Sequence, residues 1–238
     1  MKKPLLLTFL VILSIIPVFG QKARRNPMRA VRAVVIETRL AVVRDTPGFF
    51  GKTVRRVRRG RELSVTGSRF ADGARFLRVA LSSRTAGWIQ REAVAIRGDA
   101  SDDARLFRLV LTARGFDQID AARIHLNEFP ASANRARMLL LFGDLAEQAA
   151  AALSVQIAKR LDGAEMSVIG GPLHGYLLNY SGLDRYRRIG IVFFADREGR
   201  RLHYSGTAWR ELIRDHGATT EATEARGRLE ALGRKLTG

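Results

Sequence analysis

The chain has 238 residues and no cysteine, so it is long enough for one or two domains with full cores, while disulfides, thiol nucleophiles, thiolate metal sites and a lipid-anchoring cysteine are excluded. Lysine and arginine total 41 against 23 acidic residues, a formal net charge of +18. Residues 21–96 hold 18 basic and 5 acidic side chains and residues 97–238 hold 21 and 18, so the charge belongs to the first part of the chain and points to an anionic partner there.

Met1–Gly20 opens with Lys2-Lys3, runs uncharged from Leu5 to Phe19 and ends on Val18-Phe19-Gly20. A positive start, a short apolar run and a small residue at the cut read as a secretory signal peptide. An uncleaved anchor is the alternative, although the run is shorter than the roughly 20 residues that span a bilayer. The expected mature protein begins at Gln21, carries no transmembrane span and works in the cell envelope or outside it. Residues 21–32, QKARRNPMRAVR, form a flexible basic lead-in.

Residues 33–96 read as five or six short strands. Leu63 and Val65 alternate with Glu62, Ser64 and Thr66, and Leu77, Val79 and Leu81 alternate with Phe76, Arg78 and Ala80. A period of two marks strands with one buried face. Turn chemistry separates them at Asp45-Thr46-Pro47-Gly48, Arg59-Gly60, Ala71-Asp72-Gly73 and Ser82 to Gly87. Such density of strands points to a small barrel. Val43-Arg44-Asp45-Thr46-Pro47, Val54 through Leu63, Phe76-Leu77-Arg78-Val79 and Gly87-Trp88-Ile89, in this order, resemble the bacterial Src-homology-3-like (SH3b) domain. The resemblance covers about a quarter of the chain. It implies a small β-barrel in an exported protein, mostly a non-catalytic module that binds cell wall. Two departures leave the ligand class open: Ala41-Val42 stands where the family has Asn, and Phe76 where it usually has Trp.

Residues 97–238 read as mostly helical. Ser101-Asp102-Asp103 is the expected cap of a first helix that Gly115 stops. A second runs from about Asp117 to Phe129 and ends at Pro130. A third opens near Ser132 and runs towards Leu161, with Gly143 as a point of close approach. The Pro130–Ser132 link, and its echo from Trp209 to Arg226, resemble the junctions of tetratricopeptide-type helices. Gly170-Gly171-Pro172 is a loop, and residues 189–204 form an inserted β-hairpin turning at Asp196–Gly199. The expected fold class is therefore multidomain, all-β plus mainly α. Ala33–Ile96 is expected to fold by itself.

Three groups are candidate sites. Trp88 either lines a concave ligand surface with Phe76, as the resemblance implies, or closes the barrel core. Arg55, Arg56, Arg58, Arg59 and Arg61 bracket Val57 on one hairpin, with Val54, Val57 and Leu63 inward and the guanidiniums outward. Their planar forks suit phosphate and carboxylate, although a solvated face in an arginine-rich protein has the same composition. Asn179, Tyr180, Asp184, Arg185 and Tyr186 form a polar-aromatic group, either a second pocket or an anchor that holds the hairpin to the helices through tyrosine hydroxyls and an Asp–Arg pair.

His125, His174, His203 and His216 are far apart, no HExxH, Gly-x-Ser-x-Gly or phosphate-loop motif occurs, and no metal, cofactor or catalytic residue is expected. These observations imply an exported, non-enzymatic scaffold whose basic barrel contacts cell wall or another anionic envelope polymer and whose helices contact a protein. The rival is a peptidoglycan hydrolase, or its accessory, targeted by the barrel. A nucleic-acid partner suits the charge, but export separates the protein from it.

Overall fold

The structure, a computed structural model, describes residues 30–160, 173–196 and 201–237. The expected signal peptide, residues 21–29 of the expected lead-in, the loop expected at Gly170-Gly171-Pro172 and Arg197–Gly199 of the expected hairpin turn lie outside the described residues.

A β part precedes a helical part. β1 (Val31–Val35), β2 (Val42–Arg44), β3 (Thr53–Arg56), β4 (Glu62–Ala71), β5 (Ala74–Ala80), β6 (Ala86–Gln90) and β7 (Val94–Ile96) make one antiparallel sheet in the order β3-β2-β6-β5-β4-β1-β7. The alternation sorts the faces. Leu63 and Val65, Leu77 and Val79, and Ile89 are buried in one cluster with Val35, Val43 and Val57. Val54 departs from the expectation: it is 42% exposed, because edge strand β3 leaves all four of its residues uncovered. The β4–β5 hairpin closes on Asp72 and Gly73, both at positive φ (50° and 75°), the two-residue turn whose twist matches a right-handed hairpin. Gly87 is required where β6 crosses β2, since a Cβ there would stand 2.5 Å from Val43 Cγ1 and 2.6 Å from the Arg44 carbonyl.

The helical part comprises α1 (Ala100–Thr112), α2 (Gly115–Glu128), α3 (Arg135–Arg160), α4 (Leu173–Asn179), α5 (Asp184–Arg187), α6 (Thr207–Asp215) and α7 (Thr220–Thr237), with the hairpin β8 (Phe193–Ala195) and β9 (Leu202–Tyr204) between α5 and α6. Asp99, not Ser101, caps α1: its carboxylate accepts from the amides of Ser101 (2.9 Å) and Asp102 (3.2 Å). Gly115 does not stop α1, which ends at Thr112, but opens α2. α3 is long and apolar enough to cross a membrane by composition, and half of that apolar window is buried. Its polar side chains catch the free edge of β9: Ser154 Oγ accepts from the Leu202 amide and Glu147 Oε2 from the Tyr204 amide, each at 2.8 Å. Strand-edge groups buried in this way would otherwise lack partners.

The two parts share a core. Val34, Ile36 and Ala95 face away from the sheet's own interior and join the cluster of Leu106, Val110, Ile124 and Met138. Beside this seam Asp102, 1% exposed, accepts from Arg91 Nη2 (2.7 Å), Arg105 Nη2 (2.8 Å) and the Ile96 amide (2.7 Å). A buried carboxylate met by two guanidiniums and a main-chain donor ties β7 to α1.

Candidate functional site

Of the residues singled out in the sequence, the outer face of the sheet holds Trp88 and Phe76. Paired residues of adjacent strands share a face, so the registers Arg78↔Trp88 and Arg44↔Trp88 place Trp88 between two arginines across three strands. Ile89, fully buried, closes the core. Trp88 points the other way and is half-buried.

Phe76 lies on that outer face as well, opposite Gln90. It is only 2% exposed because Phe49 covers it, ring centroids 5.4 Å apart and edge to face. Phe76 is thus the floor beneath the β2–β3 loop rather than a ligand contact. That loop is held firmly. The Phe49 amide donates to Asp72 Oδ2 at 2.8 Å, and Arg44 Nη1 donates to the Gly51 carbonyl at 2.8 Å. Gly48 has φ +128°, and a Cβ on it would meet Asp72 Oδ2 at 2.6 Å.

The five arginines do not form one patch. Arg55 and Arg56 are adjacent on β3, opposite Val43 and Val42, and so take opposite faces of the edge strand. Arg58 and Arg61, in the connection from β3 to β4, are exposed, and Arg61 Nη2 donates to the Leu81 carbonyl at 3.4 Å. Arg59 is withdrawn: its Nε donates to the Ile36 carbonyl (3.0 Å), Nη1 sits 3.1 Å from Asp117 Oδ1, and the side chain is 15% exposed. It tethers the sheet to α2, which leaves four arginines for a ligand.

The second group acts as an anchor by its contacts. Tyr186 is buried between Phe116 of α2 and Phe193 of β8, at 5.2 and 5.4 Å between centroids. Arg185 lies over the rings of Phe116 and Tyr186 and donates to the Tyr186 hydroxyl at 3.1 Å. Asp184 pairs with Arg187 (3.7 Å) rather than with Arg185. Asn179 donates to the Gly175 carbonyl at 2.9 Å, and Arg160 lies over the Tyr180 ring.

Sequence reasoning missed a third constellation. Asp103 Oδ1 lies 2.7 Å from His125 Nε2 and accepts from Ser132 Oγ at 2.9 Å, beside a cleft of about 350 Å³ lined also by Arg97, Glu128 and Phe129. Serine and histidine here meet the same carboxylate oxygen and not each other. His125 is fully buried and its Nδ1 has no partner. Nucleophilic catalysis needs a base within reach of the hydroxyl, and this arrangement lacks that contact. Burial holds the His125 imidazole below the ordinary histidine value of 6.5, against the pull of Asp103, so the ring is neutral with its proton on Nε2. His125 and Ser132 lie 22 and 29 positions from Asp103 along the chain, and no local pattern joins the three. Among the described residues no three His, Asp or Glu side chains gather as a metal site.

No protein family, curated protein or solved structure is significantly similar to this chain.

Proposed function

We propose that the chain is an exported, non-enzymatic binding protein of the bacterial cell envelope. In this reading Ala33–Ile96 is a Src-homology-3-like barrel that docks on cell wall or another anionic envelope polymer. The helical part, tetratricopeptide-like with an inserted hairpin, offers its surface to a protein. The observation that carries the reading is the exposed charge of the sheet: Arg55 and Arg56 on the two faces of edge strand β3, Arg58 and Arg61 exposed in the connection that follows it, and Trp88 in register between Arg44 and Arg78 on the outer face. A half-buried indole whose cross-strand partners are arginines suits a ligand with apolar faces and anionic groups, with exposed Arg78 the available cation, since Arg44 Nη1 is bonded to the Gly51 carbonyl. The uncharged run Leu5–Phe19 behind Lys2-Lys3 supports export.

The test uses soluble polyphosphate and purified peptidoglycan. Replacing Arg55, Arg56, Arg58 and Arg61 with Gln is expected to lower binding at least tenfold without moving the melting temperature, since exposed charges contribute little to stability. Wild-type binding is expected to weaken between about 0.05 and 0.5 M salt, as the screening length falls to about 4 Å. A variant that binds like wild type would reduce the cluster to codon preference. Peptidoglycan release by the purified protein would favour the hydrolase instead.

A further inference from the structure

We propose that the end of the sheet formed by the β2–β3 loop and the β4–β5 hairpin is a membrane-insertion tip that seats at the headgroup–acyl boundary of an anionic bilayer. Two phenylalanines carry the apolar part: Phe50 is 94% exposed and Phe70 69%. They lie at the same end of the sheet because the bond from the Phe49 amide to Asp72 Oδ2 joins the loop to the hairpin turn. The tip is stiff. Phe49 packs on Phe76, Arg44 holds the Gly51 carbonyl, and the Asp72-Gly73 turn is tight. A preformed display loses little conformational freedom when it binds.

Cations stand behind the apolar end. Arg75 is the cross-strand partner of Phe70, Arg69 precedes it, and Lys52 follows Phe50 by two positions; all three are exposed. Long basic side chains reach headgroup phosphates while neighbouring rings enter the acyl region. Phenylalanine has no polar atom to bond a sugar hydroxyl or a peptide, and leaving water for hydrocarbon is the strongest gain open to it. This chemistry favours a bilayer over a glycan.

The inference rests on the envelope reading for access to a membrane, but on residues other than the arginine edge.

The chain from Gln21 onward keeps every described residue and removes the Leu5–Phe19 run, which would partition by itself. Its sedimentation with vesicles of 30% phosphatidylglycerol in phosphatidylcholine is compared with that of Phe50→Ser/Phe70→Ser. Full burial of one phenylalanine is worth about tenfold or more in partition. The double variant is expected to lose at least tenfold in vesicle partition while melting and binding polyphosphate like wild type. Equal partition of variant and wild type would overturn the tip, leaving charge alone. Wild type that binds polyphosphate but no vesicles would overturn the tip and spare the envelope reading; wild type that binds neither would overturn both. Loss of peptidoglycan binding by the double variant, with no vesicle binding by wild type, would replace the bilayer with a glycan. Loss of polyphosphate binding but not of vesicle partition in the four-arginine variant would separate the two surfaces as proposed.

Discussion

Gly143 and Arg59 show how a single position is assigned by what it touches. A Cβ on Gly143 would stand 2.3 Å from Trp209 Nε1 and 2.6 Å from Cδ1, inside a ring that is 2% exposed. Alanine gains about 1 kcal/mol in helix propensity, but overpacking a filled core costs about 1–3 kcal/mol and rotates the indole out of its rotamer. Gly143→Ala is therefore expected to lower the denaturation midpoint and to shift Trp209 fluorescence. Arg59→Gln removes an ion pair and two main-chain bonds from a mostly buried group, a loss of about 1–3 kcal/mol. The same change at exposed Arg55 should be silent in thermal denaturation, which would separate tether from ligand surface.

At the scale of elements, the junction between β7 and α1 depends on the Asp102 carboxylate. Asp102→Ala leaves Arg91, Arg105 and the Ile96 amide facing a void, and breaking a buried pair from one side costs about 3–5 kcal/mol. Asp99→Ala removes the α1 cap and a looser pair with Arg91 at 3.8 Å, at about 1 kcal/mol. Urea denaturation of the two variants should rank them in that order; equal midpoints would mean that solvent takes over the Asp102 contacts.

For the whole molecule, the shared core predicts one unfolding event. Trp88 reports on the sheet and Trp209 on the helical core, and both parts contribute to the cluster around Ile36 and Leu106. Trp88→Phe and Trp209→Phe, each with one remaining indole, should give coincident denaturation curves. Two separated transitions would instead bear out the expectation that Ala33–Ile96 folds by itself. Acid should weaken the fold in two stages. The folded His125 ring titrates below 6.5, so the unfolded chain binds the proton first and stability falls as pH drops through about 6.5. Burial raises the Glu147 carboxyl, but bonds from His203, the Tyr204 amide and Lys235 outweigh it and set the group below 4.5. Its contribution is present above that value and is lost as pH falls through the lowered folded one. His125→Phe fills a similar volume without a titrating ring, and is expected to flatten the first stage in midpoint-against-pH measurements.

Local features of the sequence were sufficient for the order β then α, the alternating faces of β4 and β5, the Asp72-Gly73 turn, the close approach at Gly143 and the inserted hairpin. Side-chain period and turn chemistry act over a few residues, and the chain displays them directly. The same alternation already set Arg78 apart from Leu77 and Val79, so half of the Trp88 row was legible. Its other half was not: Arg44 reaches Trp88 only because β2 pairs with β6 across more than forty residues of chain. The tertiary structure alone decided that Ile89 rather than Trp88 closes the core, that Phe76 is covered by Phe49, and that Arg59 faces Asp117. It also brought Asp103, His125 and Ser132 onto one oxygen. Each depends on which surfaces fold back against one another, and that is settled by packing between distant segments, for which neighbouring residues carry no local sign.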